Sequence, residues 1–327
     1  MTRRRRTQLF TAITIGAVAV IVAYVVGTAA QNGGDDPAPA AGTSAAAIRA
    51  GDLVLVDRDR SAPRAWGRLV IVSDGRRRTG ALRCERVDFR AGTGICLAQK
   101  RTFPARTFVA RIFDARQQVS AEIPVQGNPS RARVSPGGRY AASTTFVSGD
   151  SYADPGAFST RTSVYDARRG VKLGELEDFA VTRDGRPFKE QDFNFWGVTF
   201  VGDTGRFYAT LATGDHHYLV RGDVDARTLR VVRDNVECPS LSPDGRRLAF
   251  KARVGDPWRW QFHVLDLRSG RETALAAETR SVDDQIAWLD DRRVAYDVDE
   301  TVVTLPADGT GAPRLLAKAA NSPALVR

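Results

Sequence analysis

Pro239-Ser240-Leu241-Ser242-Pro243-Asp244-Gly245-Arg246-Arg247-Leu248-Ala249-Phe250 reads as strand, tight turn, strand. Proline presets φ near about −65° for the first central position of the turn, aspartate bonds its own backbone, and glycine takes a positive φ without steric penalty. Three other segments repeat the pattern: Val134-Ser135-Pro136-Gly137-Gly138-Arg139-Tyr140, Phe200-Val201-Gly202-Asp203-Thr204-Gly205-Arg206-Phe207 and Trp288-Leu289-Asp290-Asp291-Arg292-Arg293-Val294. Phe89-Arg90-Ala91-Gly92-Thr93-Gly94-Ile95 is a looser copy.

A second element follows each of these hairpins. Val264-Leu265-Asp266-Leu267-Arg268-Ser269-Gly270 matches Val164-Tyr165-Asp166-Ala167-Arg168-Arg169-Gly170, with degraded copies at Ile112-Phe113-Asp114-Ala115-Arg116 and Val224-Asp225-Ala226-Arg227. Each is an apolar strand closed by an Asp-x-Arg turn. Four-stranded units recurring every 40–45 residues or so are the signature of propeller blades, which cannot bury their faces alone and close into a ring. The units fall at 84–124, 132–176, 196–234, 239–276 and 284–317, and a remainder at 52–83 holds three strands, Leu53–Val56, Leu69–Val72 and Thr79–Arg83. The missing inner strand is at the other end of the chain, where Ser322-Pro323-Ala324-Leu325-Val326 reads like Cys238-Pro239-Ser240-Leu241-Ser242. The expected fold is therefore all-β: a six-bladed β-propeller over residues 51–327, closed by pairing of the C-terminal strand with the N-terminal blade.

The segments 239–250 and 263–270 resemble the TolB-like propeller repeat, and the chain as a whole is similar to membrane-anchored TolB-like proteins of actinobacteria. The resemblance implies an extracytoplasmic propeller that docks protein partners. Propeller repeats host scaffolds, receptors and hydrolases alike, so the likeness speaks to fold more than to function.

The first fifty residues read as an address. Arg3–Arg6 form a basic tail (1–8), and Leu9–Ala30 are an uncharged apolar run long enough, at about 1.5 Å per residue, to span a hydrocarbon core of roughly 30 Å. The positive-inside rule keeps the arginines in the cytoplasm and places the propeller outside. The competing reading is a cleaved signal peptide, for which Thr28-Ala29-Ala30 is a small-x-small site. The apolar run exceeds the usual h-region of about 7–15 residues, which favours a single-pass transmembrane anchor at 9–30. Residues 31–50, rich in Gly, Asp, Pro, Ala and Thr, read as a flexible linker.

Composition excludes several classes. The 327 residues carry 48 Lys+Arg against 38 Asp+Glu, but only five are lysines, and there is no basic stripe or aromatic RNA-binding signature, so no nucleic-acid partner is expected. Three cysteines exclude a disulfide-dense scaffold and a four-cysteine zinc site. Cys96 is expected opposite Val87, about 10 Å along the strand from Cys84, beyond the roughly 7 Å limit for a disulfide, which favours free thiols. His216 and His217 are neighbours on a strand and point to opposite faces, which argues against a shared metal. Asp150, Asp154, Asp283-Asp284 and Asp290-Asp291 lack the spacing of a calcium loop and read as turn residues. No nucleophile elbow or phosphate-binding loop is present, and no cofactor, metal or catalytic set is expected.

With strands lettered a to d outward from the axis, the b–c and d–a connections share one face. The long connections, Lys100–Arg106, Ser148–Arg161, Glu177–Phe195 and Val254–Gln261, all fall there. They carry Tyr152, Asp154, Phe158, Phe188, Phe193, Phe195, Trp258 and Trp260, with Trp196 and His216 at adjoining strand ends. Aromatic residues gathered on one face are what an interface core is enriched in, and these ten residues are the expected binding face. The expected function is a membrane-tethered extracytoplasmic interaction module whose partner is a protein of the cell envelope. The ring also leaves space for a small ligand in its central channel. The alternative is a propeller hydrolase or lyase acting on envelope carbohydrate or peptide.

Overall fold

The computed structural model describes residues 47–101, 106–148 and 158–327. The expected anchor at 9–30 lies outside them; among the described residues no helix is long and apolar enough to cross a membrane. Residues 47–99 and 108–327 belong to one compact unit.

The first blade contributes β1 (Leu53–Asp57), β2 (Arg68–Ser73) and β3 (Arg76–Arg83), and the second β4 (Arg86–Arg90), β5 (Thr93–Arg101), β6 (Arg106–Asp114) and β7 (Val119–Val125). The third holds β8 (Asn128–Val134), β9 (Tyr140–Ser148), β10 (Phe158–Asp166) and β11 (Val171–Glu175). After a short hairpin, β12 (Ala180–Arg183) and β13 (Arg186–Pro187), the fourth is β14 (Asn194–Phe200), β15 (Arg206–Thr213), β16 (His216–Asp223) and β17 (Thr228–Arg233). The fifth is β18 (Glu237–Leu241), β19 (Arg247–Val254), β20 (Arg259–Asp266) and β21 (Glu272–Ala274). The sixth is β22 (Ala287–Trp288), β23 (Arg293–Val298), β24 (Thr301–Pro306) and β25 (Arg314–Lys318), after which β26 (Ala320–Leu325) returns to the first blade.

The sheet order β26-β1-β2-β3 is the expected closure. Leu53 pairs with Leu325 and Val54 with Ala324, and Val326 N–H donates to Asp52 O at 2.9 Å. The inner strands meet in a ring, β26 beside β4, then β8, β14, β18 and β22, which meets β26 again. Side chains alternate along each strand, so every blade has two apolar faces and each gap between blades has a core. Leu53 and Leu55 face the sixth blade, whereas Val54 and Val56 face the second. Their burial explains why Leu53-Val54-Leu55-Val56 is apolar throughout; at about 1.5–3 kcal/mol for each buried side chain, these interblade layers are the main source of stability.

The turns follow the predicted chemistry. Gly138, Gly205 and Gly245 have φ of 77°, 74° and 70°. Asp266 Oδ1 accepts from the Ser269 amide at 2.7 Å and Asp166 Oδ1 from the Arg169 amide at 3.0 Å. In the fourth blade this role falls to Asp223, whose Oδ1 accepts from the Ala226 amide at 3.0 Å, rather than to Asp225. Gly94 has a packing role instead: a Cβ there would lie 2.2 Å from the Phe113 ring, which covers the strand at that point.

Two expectations need correction. Glu177–Phe195 is not a bare loop. It forms a 3-10 turn at Leu176–Asp178 and the β12–β13 hairpin, and β12 runs parallel to β17, extending the fourth blade outward. Cys84 and Cys96 are a disulfide, with Cα atoms 5.4 Å apart. The register was as expected, Val87 opposite Cys96, but the assumption that Cys84 continues that strand fails. The chain turns at Cys84-Glu85, where the Cys84 amide donates to Gly67 O at 2.7 Å and the Glu85 amide to Leu97 O at 2.6 Å. This corner brings Cys84 back over β5. Replacing both cysteines by serine should cost about 2–4 kcal/mol in chemical denaturation, and reduction should reproduce the loss. Equal stability of oxidised and reduced protein would show that the bridge does not constrain the chain.

Candidate functional site

The b–c/d–a face carries the longer connections among the described residues. To those anticipated, the structure adds 58–67 and 275–286. The fifth blade supplies an aromatic rim. Trp258 is 55% exposed and meets Trp260 edge-on at 5.1 Å. The Arg253 guanidinium lies over both rings, 4.7 Å from Trp258 and 5.4 Å from Trp260. It is held there by the Asp215 carbonyl at 3.2 Å and by His217 Nε2 at 3.4 Å. His217 in turn packs between Trp260 and Trp196. Burial first, then Arg253 and Lys251, push its imidazole down to about 4, so it is neutral at physiological pH.

From this rim the site continues inward. Lys251 Nζ lies 4.7 Å from the Trp260 ring centre, ion-pairs with Asp283 and is 3.6 Å from Glu237 Oε2. Its side chain is completely buried. Burial opposes the charge, but Cys238, Glu237 and Asp283 hold the ammonium above the ordinary lysine range. Arg131 Nη2 approaches Asp283 from the third blade at 3.4 Å. The Asp283 side chain is 70% exposed; what burial it has would raise its carboxyl, yet Lys251 and Arg131 leave it below its ordinary value. Arg86, Arg131 and Asp284 line the narrow axial channel beyond. The result is a continuous path from an exposed indole through stacked cations to a charged axis.

Asp297 stands beside this channel mouth, its backbone amide donating to Asp284 Oδ2 at 2.8 Å. Burial first and Asp284 second push its carboxyl up to about 7, with Arg86 opposing. The folded state thus holds this proton more tightly than the unfolded chain. The associated stabilisation is complete below about pH 4 and is lost as pH rises through about 7. Urea denaturation from about pH 5 to about pH 8 should show that decline, shared with Glu177, whose carboxyl burial pushes up to about 8, and Asp297→Asn should reduce the slope. An unchanged slope in the variant would assign the pH dependence elsewhere.

The structure divides the ten expected face residues. Trp258 and Trp260 form the rim. His216 is exposed on the opposite side of β16 from His217, its Nδ1 in hydrogen-bond contact with Asp234 Oδ2 at 2.6 Å and its ring stacked on Tyr218. Phe195 and Trp196 are buried and cannot form a docking surface. The reason is that β14 is an inner strand, packed on both sides. Phe188 and Phe193 are partly buried against the core between the third and fourth blades, locked edge-on to each other at 5.1 Å beneath the β12–β13 hairpin. Tyr152 and Asp154 lie outside the described residues, and Phe158 opens β10 with its backbone opposite Ser148. Among the described residues no group of three His, Cys, Asp or Glu side chains is placed to hold a metal ion. The His263 side chain is mostly buried, its Nδ1 2.6 Å from Glu272 Oε1. Arg253 and Lys251 escaped sequence reading, and Asp283 and Asp284, read there as turn residues, instead join the charged groups at the axis. The alternation of Lys251, Arg253 and the facing Trp260 on one hairpin was the available signal.

No family model matches the chain, and no curated protein is similar to it in sequence. Solved structures are similar in fold. TolB from Acinetobacter baumannii superposes with a TM-score of 0.58 at 16% identity, over 85% of this chain and 67% of that one. A puromycin-hydrolyzing peptidase from Mycobacterium tuberculosis gives 0.51 at 15% identity, over 85% of this chain and 45% of that one. A putative TolB from Agrobacterium tumefaciens gives 0.48 at 11% identity, over 81% of this chain and 87% of that one. The chain is, in its fold, a TolB-like six-bladed β-propeller.

Proposed function

We propose that this propeller is a membrane-tethered binding module that docks a protein partner of the cell envelope at the b–c/d–a mouth. The observation that carries the reading is the Trp258–Arg253–Trp260 stack. A large exposed aromatic, held rigid by a cation and set beside a charged pocket, has the make-up of an interface anchor. The apolar run Leu9–Ala30 behind Arg3–Arg6 supports an outward-facing tether. The Cys84–Cys96 bridge supports an oxidising compartment. Photo-crosslinking in intact cells from a probe placed at Pro257, next to the exposed indole, should yield one dominant adduct. The adduct should vanish with Trp258→Ala and Arg253→Ala together, in a protein that still melts cooperatively. An adduct of equal yield in that variant refutes the reading.

A second reading, a hydrolase or lyase, has one observation of its own. Asp297, with its carboxyl near about 7 and Asp284 adjacent, has the acidity of a general acid next to a second carboxylate. Turnover of an envelope glycan or peptide that disappears with Asp297→Asn would favour it over the binding module.

A further inference from the structure

At the opposite mouth, where the a–b turns converge, the channel widens into a cavity of about 250 Å³. All six blades reach it: Arg327 follows β26, Arg90 ends β4, Arg133 is near the end of β8, and the fourth, fifth and sixth blades supply Phe200, Leu241 and Trp288. None of the lining residues is acidic.

Of the three guanidinium groups, Arg133 and Arg90 are buried and Arg327 is exposed to solvent. Arg133, over nine-tenths buried, donates from Nη2 to Ile286 O at 3.1 Å, and its Nε is buried with no partner. Arg90 donates to Leu325 O, and Arg327 Nη2 donates to Trp288 O at 3.0 Å. The nearest carboxylate, Asp88, is 3.7 Å from Arg90 Nη2 and accepts the Val134 amide at 2.8 Å through its other oxygen. Burial lowers the pKa of both Arg133 and Arg327, and Arg90 adds to the strain on each. Burying a charge without a full counter-charge is costly, so an anion placed beside Arg133 and Arg90 would offset part of that cost. The remaining walls are mainly apolar, with Trp288, Phe200 and Leu241 around the arginines and Thr199, Ser240 and Ser242 among them.

We infer that this vestibule binds a small organic carboxylate, its carboxyl group on Arg133 and Arg90 and its apolar body against Trp288 and Phe200. Size narrows the class. An engineered apolar cavity of about 150 Å³ holds benzene, whereas drug-sized ligands occupy roughly 300–1,000 Å³. The vestibule falls between them, and an aryl or short alkyl monocarboxylate fits. The inference is independent of the partner proposed for the other mouth.

Calorimetric titration of the full chain in detergent, with benzoate as probe, tests it. Benzoate should bind at one site with a Kd on the order of 1 mM or tighter. Benzamide, which keeps the ring and loses the charge, should bind at least about tenfold more weakly, and inorganic phosphate should not compete. Arg133→Met should abolish benzoate binding. If that variant fails to fold, Arg90→Gln serves as the second test and should weaken binding at least about tenfold. Equal affinity for benzoate and benzamide, displacement by phosphate, binding unaffected by both substitutions, or no heat with benzoate at several millimolar would each overturn the proposal.

Discussion

A chain ending at Ala319 should lose its cooperative unfolding transition. Removing residues 320–327 deletes β26, the inner strand of the first blade, and with it the pairing of Leu53 with Leu325 and Val54 with Ala324. The buried residues Ala320, Pro323, Ala324 and Val326, with the buried Asn321, are lost from the blade and its neighbouring cores. The Ser322 hydroxyl, which accepts from the Val87 amide at 3.0 Å and donates to Val87 O at 2.9 Å, no longer ties the first blade to the second. A propeller blade is stabilised by its neighbours, so the opened ring exposes two apolar faces and an unpaired edge on β1. The expected loss is comparable with the whole net stability of an ordinary domain, about 5–15 kcal/mol. Circular dichroism on heating would read it as a broad, shifted melt with aggregation. A truncated protein that melts sharply at the parent temperature would mean the C-terminal strand does not close the ring.

The second large effect concerns the buried cation. Lys251→Ala leaves Glu237, itself almost wholly buried, facing Asp283 without the ammonium between them. Burial already raises the Glu237 carboxyl, with Lys251 the main opposing influence. Breaking a buried pair by removing one partner typically costs about 3–5 kcal/mol, because the remaining charge is left uncompensated. Removing both charges is far milder, since no charge is then left buried alone. Urea denaturation should therefore show a large loss for Lys251→Ala and recovery of most of it in Lys251→Met combined with Glu237→Gln. Arg131 remains to pair Asp283, so the double variant strands no carboxylate. A single variant that costs no more than an exposed lysine substitution would place Lys251 outside any energetic role.

How the rim was misjudged follows from the same alternation that built the fold. Phe193, Phe195, Trp196, Trp258 and Trp260 all sit near strand ends on one face of the disc, and by position they are alike. Phe195 and Trp196 lie on β14, an inner strand sandwiched between neighbours, whereas Trp258 precedes β20, a third-rank strand whose end stands clear. Phe188 and Phe193 were withdrawn by the β12–β13 hairpin, a parallel addition to β17 that no local signal announced. Phe195 and Trp196 thus became core, Phe188, Phe193 and Trp260 are partly buried, and Trp258 stands exposed.

The sequence alone determined the repeat, the turns and the closure, because these rest on local chemistry: proline and glycine at fixed turn positions, and alternating apolar residues that need a neighbour on each side. It also revealed the Val87–Cys96 register, which strand spacing dictates. Only the tertiary structure decided that Cys84 doubles back to reach Cys96, that Lys251, Asp283 and Arg131 from three blades meet at the axis, and that three arginines from distant turns share one cavity. Those groups lie tens to hundreds of residues apart along the chain, and they become neighbours only when the ring shuts.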